Sequence, residues 1–217
     1  MATSALNCPL PSTLTSLTVT TCGERFGQIQ KMAFRLKQSA DTFTEASIIL
    51  KATWQGYLDS DTATKILVSD YMPNLVLPTS EPATFGGNDN TTINGLPLVT
   101  GYNLANGTAT FLDLPSEKVK EYSTIITPQT SVGGDTNIEV FFFGEGGSII
   151  CQLDSAGKPK GFPLYNFIVS DVTSGGVNQP NIHNITFSLA PKWSENLVVY
   201  KPTAFNPLEL VETPDLG

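Results

Sequence analysis

The chain has 217 residues and a net charge of −8, and charged residues make up only 15% of it, against about a quarter in a typical soluble domain. This length allows one large β-rich domain, or one domain with additional arms. An acidic chain is a poor candidate for gripping nucleic acid, because phosphate contacts require clustered Lys and Arg. It could still surround nucleic acid without binding it, since like charges repel.

The N-terminal segment, residues 1–23, contains no charged residue and is rich in Ser, Thr and Leu. A flexible tail in water normally carries charge. The β-prone stretch from Leu14 to Thr21 therefore fits two interpretations: an assembly arm that lies on a neighbouring protein, for instance as an added strand, or an ordinary first strand. No signal peptide and no stretch of roughly 18 apolar residues is visible, so we expect no membrane partner.

The first strand is predicted from Gln28 to Lys37, where apolar and basic residues alternate. Its apolar face carries Met32, Phe34 and Leu36, and its other face carries Lys31, Arg35 and Lys37. We interpret the basic face as a solvated surface in preference to a nucleic-acid contact. A third interpretation is that it pairs with an acidic edge of a neighbouring subunit.

The main helix is predicted over residues 42–58, because Thr42 and Glu45 have the spacing of a capping box. Its apolar residues form two stripes, one of Ile49, Ala52 and Gly56 and another of Leu50, Trp54, Tyr57 and Leu58. A helix that is apolar on two sides is covered on two sides. A short strand is predicted next, over Thr64–Ser69.

A long loop is predicted over Met72–Leu98, which contains four prolines and the polar run Gly86–Asn90. Loops of this length without regular structure are uncommon in compact domains unless they have a function. In a monomer this loop would act as a lid, and in an assembly it would reach the next subunit.

A hairpin is predicted at Asn106-Gly107, a strong turn signal, between strands over Val99–Gly101 and Ala109–Leu112. A second helix follows over about 115–126, since Pro115 and Glu117 are residue types favoured at helix starts. Further strands are predicted over Asn137–Phe143, Ser148–Leu153, Phe162–Val169, Ile185–Leu189 and Leu197–Tyr200, the first two joined by the turn Gly144–Gly147.

These elements predict an α+β fold that is mainly β: an antiparallel β-sandwich or barrel with two flanking helices, at about 42–58 and 115–126. The predicted organisation is an N-terminal assembly arm at 1–23, a β-rich core at 24–200 with a long loop at 72–98, and a C-terminal arm or tail at 201–217.

Residues that could carry nucleophilic chemistry are few. The single histidine, His183, has no Gly-x-Ser-x-Gly elbow or catalytic cysteine signature to accompany it. The three cysteines, Cys8, Cys22 and Cys151, match no zinc or redox spacing, and we interpret them as reduced thiols.

Metal and phosphate sites are not indicated either. Asp59–Asp61 and Asn88–Asn90 could offer oxygens to calcium, but neither has the spaced acidic loop of a dedicated site. The glycine pairs lack the spacing of phosphate-binding loops. Two catalytic carboxylates need no local motif, but a sugar cleft would need more exposed aromatics than two tryptophans supply. We predict no catalytic, cofactor-binding or metal-binding residue, and no enzyme.

Several landmarks along the chain resemble a family of virion structural proteins from tailed phages of gut Bacteroidetes, which includes the crAss-like phages. They lie, in order, at Cys22–Lys31, Ala52–Gln55, Thr64-Lys65, Asn88–Leu98, Pro191–Ser194 and Phe205–Pro207. Their order, rather than any one of them, carries the resemblance. They are structural landmarks, so no active-site residue is implied.

The resemblance implies a tail-tube-like or tail ring subunit of a virion, assembled in the cytoplasm of the host bacterium. Its implied partners are copies of itself in a ring and other phage tail or neck proteins, with DNA passing through an acidic channel without binding. Two alternatives stay open: a capsid decoration or head–tail connector protein, and a carbohydrate-binding adhesin module. The adhesin would need exposed aromatics on one sheet face, and neither Trp54 nor Trp193 is expected to supply them.

Overall fold

The computed structural model describes residues 27–37, 43–87, 95–129 and 137–211. Its helices are α1 (Glu45–Ile48), α2 (Lys51–Leu58) and α3 (Ser116–Gln129). Its strands are β1 (Ile29–Leu36), β2 (Ile66–Val68), β3 (Pro82–Phe85), β4 (Leu98–Tyr102), β5 (Ala105–Leu112), β6 (Ile138–Gly144), β7 (Ser148–Leu153), β8 (Pro159–Lys160), β9 (Phe162–Thr173), β10 (Ile182–Leu189) and β11 (Leu197–Tyr200). The pairing of these strands is antiparallel throughout. The expected mainly β, α+β class is thus confirmed.

The first sheet is built around β6, which pairs along its whole length with β1. Two strands pair with the other edge of β6. Strand β7 pairs with the last three residues of β6, and the start of β9 pairs with Glu139 and Val140. Strand β2 extends the sheet beyond β1, and β11 and β8 extend it beyond β7. The second sheet has the order β9-β10-β5, and β9 connects the two sheets.

The two sheets pack face to face, as a β-sandwich requires. Phe142 of the first sheet lies 6.2 Å from Phe187 of the second, and Phe34 lies 5.1 Å from Phe167, measured between ring centroids. The even-numbered residues of β1 and β6 point into this core, because side chains alternate along a strand. Helix α3 closes one end, where the ring of Tyr122 stacks on Phe111.

A second core covers the opposite face of the first sheet, so this sheet is buried on both sides. Helices α1 and α2 contribute Ile48, Trp54 and Leu58, and the odd-numbered residues Phe141 and Phe143 of β6 point toward them. Every residue of β6 is therefore buried. This explains why its sequence is apolar throughout except for Glu139.

The C-terminal part of the chain completes this second core. Leu208 and Leu210 are buried there beside the first sheet. Residues 201–211 are therefore part of the packed domain, and the expectation of a C-terminal arm or tail is wrong for them. Residues 212–217 lie outside the described residues, as does the predicted N-terminal arm at 1–23.

The predicted helix over 42–58 is two helices that meet at Ile49 and Leu50. The buried indole of Trp54 donates to the Ile48 carbonyl at 2.7 Å, and that carbonyl is the one a continuous helix would bond to the amide of Ala52. A buried indole N–H needs a partner, and here it obtains one at the helix break.

The helix start differs from the prediction as well. The capping box is formed by Thr44 and Ser47, two residues later than the predicted pair. The prediction that the helix is covered on both sides is also wrong among the described residues, because Ile49, Ala52 and Gly56 are exposed. The second helix, in contrast, is confirmed as α3, with Tyr122 and Ile125 buried.

Of the two predicted hairpins, the one at Gly144–Gly147 is confirmed by the pairing of β6 with β7. The one at Asn106-Gly107 is wrong, because these residues lie inside β5, which pairs along its length with β10. A Cβ at position 107 would overlap the ring of Phe187. The glycine therefore makes room for the ring of its cross-strand partner Phe187 and does not make a turn.

The segment predicted as a long loop over Met72–Leu98 contains regular structure. Met72 and Leu75 are buried in the sandwich core, so the segment begins as part of the domain. Strand β3 then pairs with β4 as a separate two-stranded sheet, which we call the ribbon. Residues 88–94, between the two strands, lie outside the described residues.

Candidate assembly surface

Charge is nearly absent from one part of the molecule. The ribbon strands and the three strands of the second sheet together contain one charged residue, Asp171. The described residues as a whole contain fourteen acidic and eleven basic side chains, so this scarcity is local. Depletion of charge is the compositional signature of the core of a protein interface.

The ribbon exposes apolar side chains on both of its faces. Phe85 and Leu98 are cross-strand partners that share one face, and they are 56% and 50% exposed. The neighbouring Val99, which must point to the other face, is 56% exposed. A two-stranded sheet with no covered face is marginally stable at best in water. The ribbon is thus built like an element that another surface covers.

The base of the ribbon is held firmly to the domain. The indole of Trp193 donates to the Pro78 carbonyl at 2.9 Å, and the Lys192 amide donates to the Ser80 hydroxyl at 3.1 Å. The Lys192 ammonium lies 5.2 Å from the ring centroid of Tyr102, within the range of a cation–π contact. These contacts fix where the ribbon leaves the sandwich.

The outer face of the second sheet is largely exposed and carries no charged residue except Asp171. Cross-strand partners lie side by side across this face. Thr186 of β10 lies between Thr108 of β5 and Ile168 of β9, and Asn184 lies beside Thr110. Ile168 is 52% exposed and Leu112 is 46% exposed. This face carries hydroxyl, amide and methyl groups, which can meet another protein surface without removing a charge from water.

The basic face predicted for the first strand is not solvated. Arg35 is buried and its Nε donates to Oε1 of Glu139 at 2.7 Å. The solvated interpretation is therefore wrong for Arg35, and its acidic partner belongs to the same chain. Burial raises the pKa of Glu139, although the Arg35 guanidinium acts in the opposite direction.

Lys31 is also buried, with its ammonium 4.6 Å from the ring centroid of Tyr71. Burial lowers the pKa of Lys31, and the nearby Asp70 carboxylate opposes that shift. Both basic side chains are thus internal to the domain, because the face of β1 that carries them is the one covered by the second core.

The remaining residues considered for chemistry lie apart. His183 is buried, with Nδ1 at 3.1 Å from the Ser170 carbonyl oxygen. Cys151 is buried in the second core, and burial raises the pKa of its thiol to about 12. Within the described ranges, no three His, Cys, Asp or Glu side chains are grouped as a metal site would require.

The two tryptophans serve packing. Trp54 is fully buried, and Trp193 is partly buried with its ring edge-on to Phe162 at 5.4 Å. Asp59, one of the acidic residues considered for calcium, accepts from the side chain of Gln55. In the described part of the chain, no helix is both long and apolar enough to span a membrane.

The sequence shows the two parts of the low-charge surface separately. Between residues 82 and 112 the only charged residue is Asp89, and between 161 and 191 it is Asp171. The two segments are far apart in the chain, and the pairing of β5 with β10 brings them together. The sequence shows each gap in charge, but only the topology joins them into one surface.

Among solved structures, the chain is similar to a chain of the anti-feeding prophage (AFP) baseplate, known from a 6-fold symmetrised cryo-EM structure. The TM-score is 0.33 and the sequence identity 9%, over 91% of this chain and 100% of that chain. At this TM-score the likeness establishes neither a shared fold nor a shared function. No protein-family model and no curated protein matches the chain.

Proposed function

We propose that this chain is a structural subunit of a bacteriophage virion, which oligomerises into a ring or tube of the tail through which DNA passes. The observation that carries the oligomer is the low-charge surface formed by the ribbon and the second sheet. The assignment to a phage tail is supported by the ordered sequence landmarks. The proposed role is architectural and requires no catalytic residue.

The charge of the chain favours assembly through this surface. Identical copies with a net charge of −8 repel one another, so they approach most easily where charge is absent. The ribbon and the second sheet are such a place, and the apolar side chains of the ribbon gain by leaving water. We therefore assign these strands to contacts between subunits.

The same charge suits the proposed channel. A wall that repels phosphates lets DNA slide without binding. The five strands with one charged residue cannot provide that wall, so in the proposed ring the acidic side chains that line the channel come from other parts of the chain.

The test of this function has two parts. Mass photometry and negative-stain electron microscopy of the purified protein should show closed rings or tubes as its concentration is raised. Gold-labelled antibodies should then bind the tail of the phage that encodes the chain. A protein that remains monomeric at high concentration and is missing from the particles would overturn the proposal. Labelling of the head or the neck would move it to the decoration or connector alternative.

A further inference from the structure

We infer that the ribbon (β3–β4) of one copy docks on the outer face of the second sheet (β9-β10-β5) of the next copy. This inference rests on the proposed function, and it names the two surfaces and the occupant of each. Every subunit would then offer a ribbon to one neighbour and a sheet face to the other.

The ribbon requires a cover that its own domain does not supply. Phe85 and Leu98 on one face and Val99 on the other are each at least half exposed. The hydrogen bonds from Trp193 to Pro78 and from Lys192 to Ser80 hold only the base. The rest of the ribbon is positioned by its base and exposes apolar residues to water, as a preorganised docking element does.

The charge distribution favours an occupant with a low-charge surface, and a second copy of this chain supplies one. A partner with a basic surface would be recognised by acidic side chains, and the ribbon has no charged residue in β3 or β4. The outer face of the second sheet has the matching property, because it is uncharged except for Asp171 and exposes Ile168 and Leu112. Two surfaces without charge can be joined without burying an unpaired ion.

The contact is head to tail because the two surfaces are different. A ribbon that packed on the ribbon of another copy would form a two-fold dimer and leave both sheet faces open. A ribbon on a sheet face leaves one free ribbon and one free sheet face, so further copies can add until a ring closes. The head-to-tail contact is thus the arrangement that fits the proposed ring.

The first test places a charge in the contact. Val99→Asp should raise the protein concentration for half-assembly at least about tenfold, which corresponds to ~1.4 kcal/mol, because the new carboxylate must leave water. Val211→Asp is the matched control, since Val211 is a similarly exposed valine (65%) that follows Leu210 of the second core and lies outside both proposed surfaces. It should assemble like the wild type, and circular dichroism of both variants should show an intact fold.

The second test identifies the surfaces by disulfide trapping, in a background with Cys8→Ser and Cys22→Ser. Phe85→Cys and Ile168→Cys are made in separate proteins, mixed and oxidised. A disulfide that joins the two different proteins is expected. A disulfide that forms in the Phe85→Cys protein alone indicates ribbon-to-ribbon contact and overturns the inference.

The outcomes separate this inference from the proposed function. If the wild type forms rings and Val99→Asp forms them at the same concentration, the ring stands and the ribbon contact is wrong. If the wild type never assembles, the proposed function fails first and the ribbon contact fails with it.

Discussion

The first and the second sheet of this molecule are both antiparallel, but they differ in how many of their faces are covered. The first sheet is covered on both faces, and it buries an ion pair between Arg35 and Glu139. The second sheet is covered on one face, and its open face has almost no charge. Inside the domain, Arg35 is charged and buried because Glu139 of the same chain pairs with it. The open face of the second sheet has almost no charge, although protein surfaces normally carry charged residues.

This contrast indicates that the two regions have different roles: stability of the single subunit and contact between subunits. The first sheet stabilises the folded domain, and its contribution to the free energy of unfolding comes from close packing of aromatic residues. The outer face of the second sheet and the ribbon contribute little to the stability of one subunit, and their composition is explained by contacts with other subunits. Substitutions in the two regions should therefore change different measurements: unfolding for the first and assembly for the second.

The largest expected effect is that of Trp54→Ala in the second core. Trp54 is fully buried, its ring lies 4.7 Å from that of Phe43 and 5.3 Å from that of Phe143, and its indole holds the Ile48 carbonyl. We expect the free energy of unfolding to fall by about 5 kcal/mol. Urea unfolding of the dilute protein, followed by circular dichroism, measures this. A loss below about 1 kcal/mol would mean that α2 is not part of the folding core.

Much of this fold follows from local patterns in the sequence. The hairpin at Gly144–Gly147, the helix after Pro115 and the mainly β class are predicted from signals within a few residues of one another. These signals succeed because the turn, the helix start after Pro115 and the strand alternation are themselves local physical requirements.

The errors have non-local causes. The burial of Arg35 depends on Glu139, over one hundred positions away. The helix break is the exception, because the indole of Trp54 donates to the carbonyl of Ile48, only six residues earlier. Gly107 resembles a turn glycine until β10 places Phe187 against it. For the same reason the sequence does not reveal the low-charge surface as a whole, since its two parts become one surface only when β5 pairs with β10.

The next expected effect concerns the buried ion pair. Arg35→Met keeps an apolar stem in place but leaves the Glu139 carboxylate buried without this partner. We expect a loss of about 3 kcal/mol at neutral pH, the lower part of the range for breaking a buried pair. Arg35→Met with Glu139→Leu should recover most of it, because both charges are then removed. Urea unfolding at pH 7 measures both variants, and a single variant as stable as the wild type would show that the pair adds nothing.

The pH dependence of the ion pair follows from the raised pKa of Glu139. A carboxyl whose pKa is higher in the folded than in the unfolded state favours folding when it is protonated, and this contribution is lost as the pH rises through the folded pKa. Removal of Arg35 raises the folded pKa further. The stability deficit of Arg35→Met should therefore shrink when the pH is lowered toward the acidic range. A deficit that grows at low pH would contradict this sign.

The smallest expected effects on unfolding come from two glycine substitutions, one in the sandwich core and one in the ribbon. At Gly107, inside the sandwich, an added methyl group would overlap the Phe187 ring, whereas at Gly101, in the ribbon, nothing lies within 4 Å of the added atom. We expect Gly107→Ala to cost about 1–3 kcal/mol through overpacking, and Gly101→Ala to change unfolding by less than about 0.5 kcal/mol. Urea unfolding below the assembly concentration compares them. Equal losses would mean that the ribbon is packed within the isolated subunit, and the difference between the two regions would then disappear.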